Sequence, residues 1–407
     1  MDSPIIVKFG GMILMEKTPI AFRTHVSVFG NTNAGKSSLF NALLGQDMAV
    51  VSEKSGTTTD PVTKAMELLP YGPIALTDTA GLGDNTDIGE KRMEKTEKIL
   101  ERTDFALYTA ECGAFDEDSY KKMKASFDKK KIGHLLVFTK ADLGVGDLKE
   151  RYPDAVFVSV KDAKSVENLK NILNNKLSSL NPPEQTMIGD LLPQGSTIVM
   201  VIPIDSEAPK GRIILPQVQF LRDCLDHGMK AVAVRDTELE ETLKELNKVD
   251  LVVTDSQAFK FVASVVPKNI KLTSFSMMMA SMKGDLKTLA EGAYAIENLK
   301  DGSRILVAEA CTHNVSHEDI GRVKIPALLR KYTGKNLIFD YYVHQDFPKN
   351  LSEYDLVIHC GGCMINSRSM CNRIDFCLES GVPITNYGVV IAYVNGILDR
   401  SKEVFGI

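Results

Sequence analysis

The sequence predicts an α/β fold of three successive α/β units, on three observations. From His25 onward, short β-rich runs alternate with helix-patterned stretches, as a parallel sheet covered by helices requires. The alternation stops at Asn181–Gln185 (NPPEQ), where two prolines end the preceding helical stretch, and restarts at Ser196. It restarts once more near Ser303, and 407 residues suffice for two to three domains.

In the first unit HVSVFG reads as a strand, KSSLFNALLG as a helix, and PIALTD, HLLVFT and AVFVSV as later strands. The second unit runs through the strand STIVMVIPI, the helical QVQFLRDCLDHG, the strand AVAVR, the helical TELEETLKELN and the strand DLVVTD. The third opens with the strand RILVAEA and the helix-like HEDIGRVKIPALLRKY. The strands LIFDYYV and YDLVIHC follow, then the helix-like SRSMCNRIDFCLES and the strand PITN. The expected divisions are residues 25–182, 183–285 and 286–407, the last two forming doubly wound, mostly parallel sheets. Residues 1–24 read as an N-terminal arm or appended segment, since the apolar run IIVKFGGMILM is short, carries Lys8 and leads to no small-residue cleavage site.

Composition narrows the class. Hydrophobic residues make up 44% and charged residues 25%, and no stretch reaches the ~18 apolar residues of a membrane span. Forty-eight Lys+Arg against 53 Asp+Glu give a net charge of −5, without the basic excess that a nucleic-acid binder uses on phosphates. Neither a membrane nor nucleic acid is therefore expected as a partner. Seven cysteines is an odd number, and five lie in the last quarter of the chain, which favours thiols in a reducing, cytoplasmic setting over a disulfide scaffold.

Gly30–Ser37 reads GNTNAGKS, a G-x-x-x-x-G-K-S loop between the strand VSVF and the helix SSLFNALL. Such a loop turns backbone N–H groups onto phosphates, so Asn31, Asn33, Ala34, Gly35, Lys36, Ser37 and Ser38 are candidate nucleotide contacts. Lys36 would reach the β and γ oxygens, and the Ser37 hydroxyl would ligate Mg²⁺. Asp78–Gly81 (DTAG) follows the strand PIALT, where the Asp78 carboxylate can hold Mg²⁺ through water and the Gly81 amide can sense the γ-phosphate. Thr58, in GTTTD, would add a Mg²⁺ ligand from a mobile loop, against the alternative of a solvated Thr-rich loop. At the end of HLLVFT comes TKAD. There Asp142 can accept from guanine N1–H and the exocyclic amine, and Lys140 beside Thr139 can lie along the base. Ser159, Val160 and Lys161 offer amides to the guanine oxygen. Alone, TKAD is weak; four motifs in order predict a P-loop GTPase fold that takes GTP, with Lys36, Ser37, Thr58, Asp78 and Gly81 as the catalytic set.

Cys311 and His313 directly follow RILVAEA, and His359, Cys360 and Cys363 (HCGGC) directly follow YDLVI. Ligands bind beyond the carboxyl ends of parallel strands, so neighbouring strands would gather the three thiols, with Gly361 and Gly362 leaving room for a metal. Spacing leaves the metal open. Zinc would be closed as Cys₃His by His313 or His359, whereas an iron–sulfur cluster on three thiolates would keep one iron for an exchangeable ligand. Either histidine also reads as a hydrogen-bonding neighbour that tunes the site. Glu318, with His317 and Asp319, lies within a turn of Cys311 and could cap the fourth iron or serve as a solvated helix-start charge. Cys371 and Cys377 read as core or surface thiols, Cys112 and Cys224 as packing residues.

The first unit resembles the TrmE–Era branch of GTPases, which implies that Asn33 helps hold K⁺. Leu82 stands where Ras-type enzymes place a water-orienting Gln, so slow, K⁺-stimulated turnover is expected. From about Ala21 the whole chain, including APKGRIILPQ, DIGRVKIP, HCGGCMIN and VPITNYGV, resembles the [FeFe]-hydrogenase maturation GTPases, the HydF family. The resemblance implies a GTPase domain, a dimerisation domain at 183–285 and a cluster domain at 286–407 holding a [4Fe–4S] cluster through Cys311, Cys360 and Cys363. It further implies a homodimer able to pair into a dimer of dimers, and a scaffold role. The scaffold receives a transient di-iron precursor from radical-SAM maturases and delivers it to apo-[FeFe]-hydrogenase. The alternative is a zinc-stabilised regulatory GTPase of the TrmE–Era type acting in RNA or ribosome maturation, which the acidic balance disfavours.

Overall fold

In the computed structural model of the chain, the described residues are 18–45, 61–79, 95–180, 186–204, 213–310, 319–343 and 347–407. Their strands form three sheets. The first contains β1 (Thr24–Gly30), β2 (Val62–Leu68), β3 (Gly72–Asp78), β4 (Phe105–Glu111), β5 (Gly133–Thr139) and β6 (Val156–Phe157), in the order β2-β3-β1-β4-β5-β6. Every pair is parallel except β2 with β3. β1, β4 and β5 are buried along nearly their whole length because helices cover both faces, with His25 and Ser27 among the apolar residues of β1. The edge strand β2 is mostly exposed and was not foreseen. AVFVSV yields only two strand residues, because the Val158 carbonyl accepts from Ala141 N–H and draws the chain toward the end of β5.

The second sheet holds β7 (Thr197–Val201), β8 (Lys230–Val234), β9 (Leu251–Thr254) and β10 (Lys271–Ser274), in the order β10-β9-β7-β8. The third holds β11 (Arg304–Glu309), β12 (Ile338–Val343), β13 (Leu356–His359) and β14 (Ile384–Asn386), in the order β12-β11-β13-β14. All pairs in both sheets are parallel.

The cores show how the units are joined. One apolar cluster runs without a break from Val199 and Val252 in the second sheet to Val357 and Leu398 in the third unit. The helix Leu286–Ala293 forms part of this joint, and Gly292 lets it lie against β14: a Cβ there would stand 1.9 Å from the Ile384 carbonyl oxygen. The first sheet instead has two cores of its own, one on each face. Its junction with the third unit is hydrogen-bonded. Asn366 Nδ2 donates to the Arg102 carbonyl at 2.8 Å, Asn372 Nδ2 to the Glu101 carbonyl at 2.7 Å, and Arg368 Nε to Asp104 at 3.3 Å.

Candidate nucleotide and cysteine sites

β1 ends at Gly30, where φ is +144° and a Cβ would sit 2.2 Å from the Thr109 carbonyl oxygen, so only glycine passes β4. The chain turns through Asn33 (φ +63°) and Gly35 (φ +82°) and enters the helix Lys36–Leu44, which includes Ser38 and whose first amides have no partners within the helix. The buried Lys36 ammonium donates to the Gly30 and Asn31 carbonyls at 3.0 and 2.7 Å. Thr139, at the end of β5, ties this loop down by donating its hydroxyl to the Ala34 carbonyl at 2.8 Å.

Ser37 Oγ donates to Asp78 Oδ2 at 2.6 Å. Asp78 Oδ1 is buried and has no hydrogen-bond partner among the described residues. Burial pushes the carboxyl above its ordinary range, while the Ser37 hydrogen bond and the Lys36 charge oppose the shift. A buried carboxylate with an unsatisfied oxygen beside a serine hydroxyl fits a hard divalent cation such as Mg²⁺. Thr58, Gly81 and Leu82 lie outside the described residues.

At the base end, the TKAD and SVK segments meet. Asp142 accepts from Ser159 Oγ at 2.8 Å and from Lys161 Nζ at 3.0 Å, and these contacts hold its carboxyl below the ordinary range, Lys161 first. Lys161 N–H donates to Ser159 Oγ at 3.3 Å, closing the turn through Val160. Lys140 has a left-handed backbone (φ +55°), and its ammonium pairs with Glu111 at 2.6 Å.

β11 and β13 are parallel neighbours with Ala308 opposite His359, so the chain leaves both strands at the same end of the sheet. Cys360 N–H donates to the Ala308 carbonyl at 2.8 Å, and Ala310 N–H donates to Cys360 Sγ at 3.1 Å. The residue preceding Cys311 thus touches the Cys360 sulfur. Gly362 turns the loop at φ +64°. Lys283, from the helix Phe275–Lys283, donates to the carbonyls of Gly362, Cys363 and Ile365 at 3.0, 3.3 and 2.8 Å. Burial pulls this ammonium down to about 8, and the Cys363 and Cys360 sulfurs oppose that shift.

Both ring nitrogens of the buried His359 are engaged. Arg373 Nη1 lies 2.8 Å from Nε2, and the Cys360 carbonyl lies 2.7 Å from Nδ1. A guanidinium only donates, so Nε2 is the acceptor and Nδ1 carries the proton. Asp319 caps the turn that follows it by accepting from Arg322 N–H at 2.7 Å. Burial pushes the Cys224 and Cys377 thiols up to about 12, which makes them inert packing groups. Cys112 is half-buried, and Cys371 is exposed on the helix Ser367–Glu379. Cys311, His313, His317 and Glu318 lie outside the described residues. Among the described residues, no group of three or more His, Cys, Asp or Glu gathers as a metal site. Two thiols on one turn, with an amide donor on one sulfur and an ammonium beneath the turn, fit part of a thiolate-ligated centre.

Family profiles match the chain in order. Residues 25–140 match a profile described as "50S ribosome-binding GTPase", residues 187–284 "Hydrogen maturase F dimerization domain", and residues 287–404 "Hydrogen maturase F tetramerization domain". The chain belongs to the hydrogen maturase F family. Its GTPase unit is similar to parts of curated proteins. It is 33% identical over 171 residues to the GTPase Der of Wolinella succinogenes, covering 38% of this chain and 36% of that one. It is 38% identical over 157 residues to the tRNA modification GTPase MnmE of Coxiella burnetii, covering 37% and 34%. The chain therefore spans about a third of the length of these relatives. A solved structure of Era with MgGDPNP and a segment of 16S ribosomal RNA matches at 19% identity and a TM-score of 0.32, over 57% of this chain and 92% of that one, too loosely to inform function.

The roles of Lys283 and Arg373 are not legible in the sequence of this hydrogen maturase F chain. Lys283 ends an apolar stretch, FSMMMASMK, and reads as a solvated helix end, while Arg373 lies in a helix of mixed polarity. Neither is close in sequence to what it touches.

Proposed function

We propose that this chain is a GTP-binding and GTP-hydrolysing scaffold that holds a [4Fe–4S] cluster and assembles or delivers the di-iron precursor to apo-[FeFe]-hydrogenase. The observation that carries the reading is the Ala310 N–H to Cys360 Sγ contact, which brings the segment entering Cys311 against the Cys360–Cys363 turn in a hydrogen maturase F chain.

Lys36 draws the β and γ phosphates onto the loop, Asp142 selects guanine, and Ser37, Thr58 and Asp78 hold Mg²⁺. The bound ion supplies charge neutralisation on the transferred phosphoryl group. Asn33 holds K⁺, which stimulates a slow intrinsic rate. Cys311, Cys360 and Cys363 ligate the cluster, and His359, fixed by Arg373, orients the turn. Its fourth position falls to His313 or Glu318. Residues 183–285 form the dimer contact, and residues 286–407 carry the cluster and pair dimers. Radical-SAM maturases and apo-hydrogenase are the partners, in the cytoplasm.

The reading predicts GTP turnover well above ATP turnover and faster in potassium than in sodium buffer, together with activation of apo-hydrogenase only by chain loaded with precursor. Equal activation by a Cys363→Ser chain would overturn the scaffold assignment.

A further inference from the structure

We infer that Lys283 is a positioning residue of the cysteine site, contributed by the middle unit, which anchors the Cys360–Ile365 turn and supplies positive charge to whatever the thiolates hold. The inference rests on the cluster reading above.

Lys283 is 2% exposed. An ammonium has three protons, and the three carbonyls of Gly362, Cys363 and Ile365 take them all. The ring of Phe22, from the segment leading into β1, lies 4.2 Å from Nζ and covers a further side. Lysine is almost never buried so fully without a counter-charge, because taking the ion out of water is costly. Neutral carbonyls satisfy its hydrogen bonds but leave its charge unbalanced. The turn that it holds carries Cys360 and Cys363, whose thiolates, once a bound metal has displaced their protons, would supply the opposite charge. Cys371, on the helix beyond the turn, donates its thiol to the Lys283 carbonyl at 3.8 Å and holds the helix end in place.

The charge count gives this arrangement a purpose. A [4Fe–4S]²⁺ core on three thiolates carries one net negative charge, and reduction by one electron adds another. A fixed cation beneath the turn favours both binding and the reduced form, since local charge and hydrogen bonding set cluster potentials. The anchor comes from residues 187–284, so the middle unit shapes a site whose sulfur ligands all lie in the third.

The test compares full-length wild type, Lys283→Met and Lys283→Arg. In metal-free chain, hydrogen exchange over residues 360–366 should rise about tenfold in Lys283→Met. After anaerobic reconstitution, Lys283→Met should hold less than about half the wild-type iron, and its remaining cluster should be reduced at a more negative potential. Lys283→Arg, which keeps the charge, should restore most of the iron. If Lys283→Met fails to accumulate, Lys283→Gln, with donors but no charge, takes its place. Unchanged exchange, or wild-type iron at an unchanged potential, would overturn the inference. A wild-type chain that takes up no iron removes the cluster reading instead, and the exchange measurement then decides alone whether Lys283 anchors the turn.

Discussion

Asp78 holds a buried carboxylate oxygen that no described residue satisfies, beside a serine that donates to the other oxygen. Because burial raises its pKa in the folded chain, the folded state binds that proton more tightly than the unfolded one. The carboxylate therefore costs stability as pH rises from the unfolded value through the folded one. A bound divalent cation offsets that cost where the group is ionised. Mg²⁺ should raise the melting temperature more at about pH 8 than at about pH 5, and Asp78→Asn should melt higher than wild type without Mg²⁺ while losing the response. Thermal melts at the two pH values check both. At the base end, Asp142→Asn replaces one acceptor oxygen by a donor. GTP affinity should fall about 100-fold, the loss expected for a charge-assisted pair, while xanthosine triphosphate, with a carbonyl in place of the amine, gains. Competition binding with the two nucleotides reads the switch. Asn366 serves twice: it caps the helix Ser367–Glu379 by accepting from Ser369 N–H, and it donates to Arg102. Asn366→Ala should cost about 1 kcal/mol from the cap alone, visible in the denaturant midpoint.

Long, apolar strands and strand-end motifs were legible in the sequence because burial on both faces leaves an uninterrupted hydrophobic run. The GNTNAGKS loop could be placed because β1 and its helix flank it, and the cysteines because Cys311 and Cys360 follow such runs. β2 escaped because its VTKAMEL lies on an open edge with Lys64 and Glu67 in it, and β10 because Leu272 is the one apolar residue of KLTS. The close approach of the helix Leu286–Ala293 to β14 depends on a glycine that periodicity passes over. Gly292→Ala would force a Cβ within 1.9 Å of a backbone oxygen and should destabilise the chain by about 1–3 kcal/mol. Gly361→Ala, where a Cβ meets nothing within 4 Å, should leave the midpoint unchanged.

Across the whole molecule, the second and third units share one apolar core, whereas the GTPase unit is held to the third by hydrogen bonds around Glu101–Asp104. A cavity of about 570 Å³ between Arg102 and Arg373 leaves this seam incompletely packed. Phe347, Met364 and Phe376 line this cavity beside the polar groups, so parting the seam exposes apolar as well as polar surface, and the hydrogen bonds of Asn366 and Arg368 are its direct links. The helix at 95–100, between DTAG and Arg102, ends on this seam, which leads through Asn366 to the Cys363 turn. An Asn366→Ala, Arg368→Ala chain should show a larger radius of gyration by small-angle scattering with its thermal transitions retained. No described helix is long and apolar enough to cross a membrane. The proposed function joins a guanine-nucleotide site to a cluster held by three thiolates in one chain. Its most direct test is iron and acid-labile sulfide in full-length chain reconstituted without oxygen, beside Cys311→Ser, Cys360→Ser and Cys363→Ser. About four irons per wild-type chain are expected, with loss of the brown colour in each variant and GTP binding intact. A colourless zinc protein, or variants that keep their iron, would contradict it.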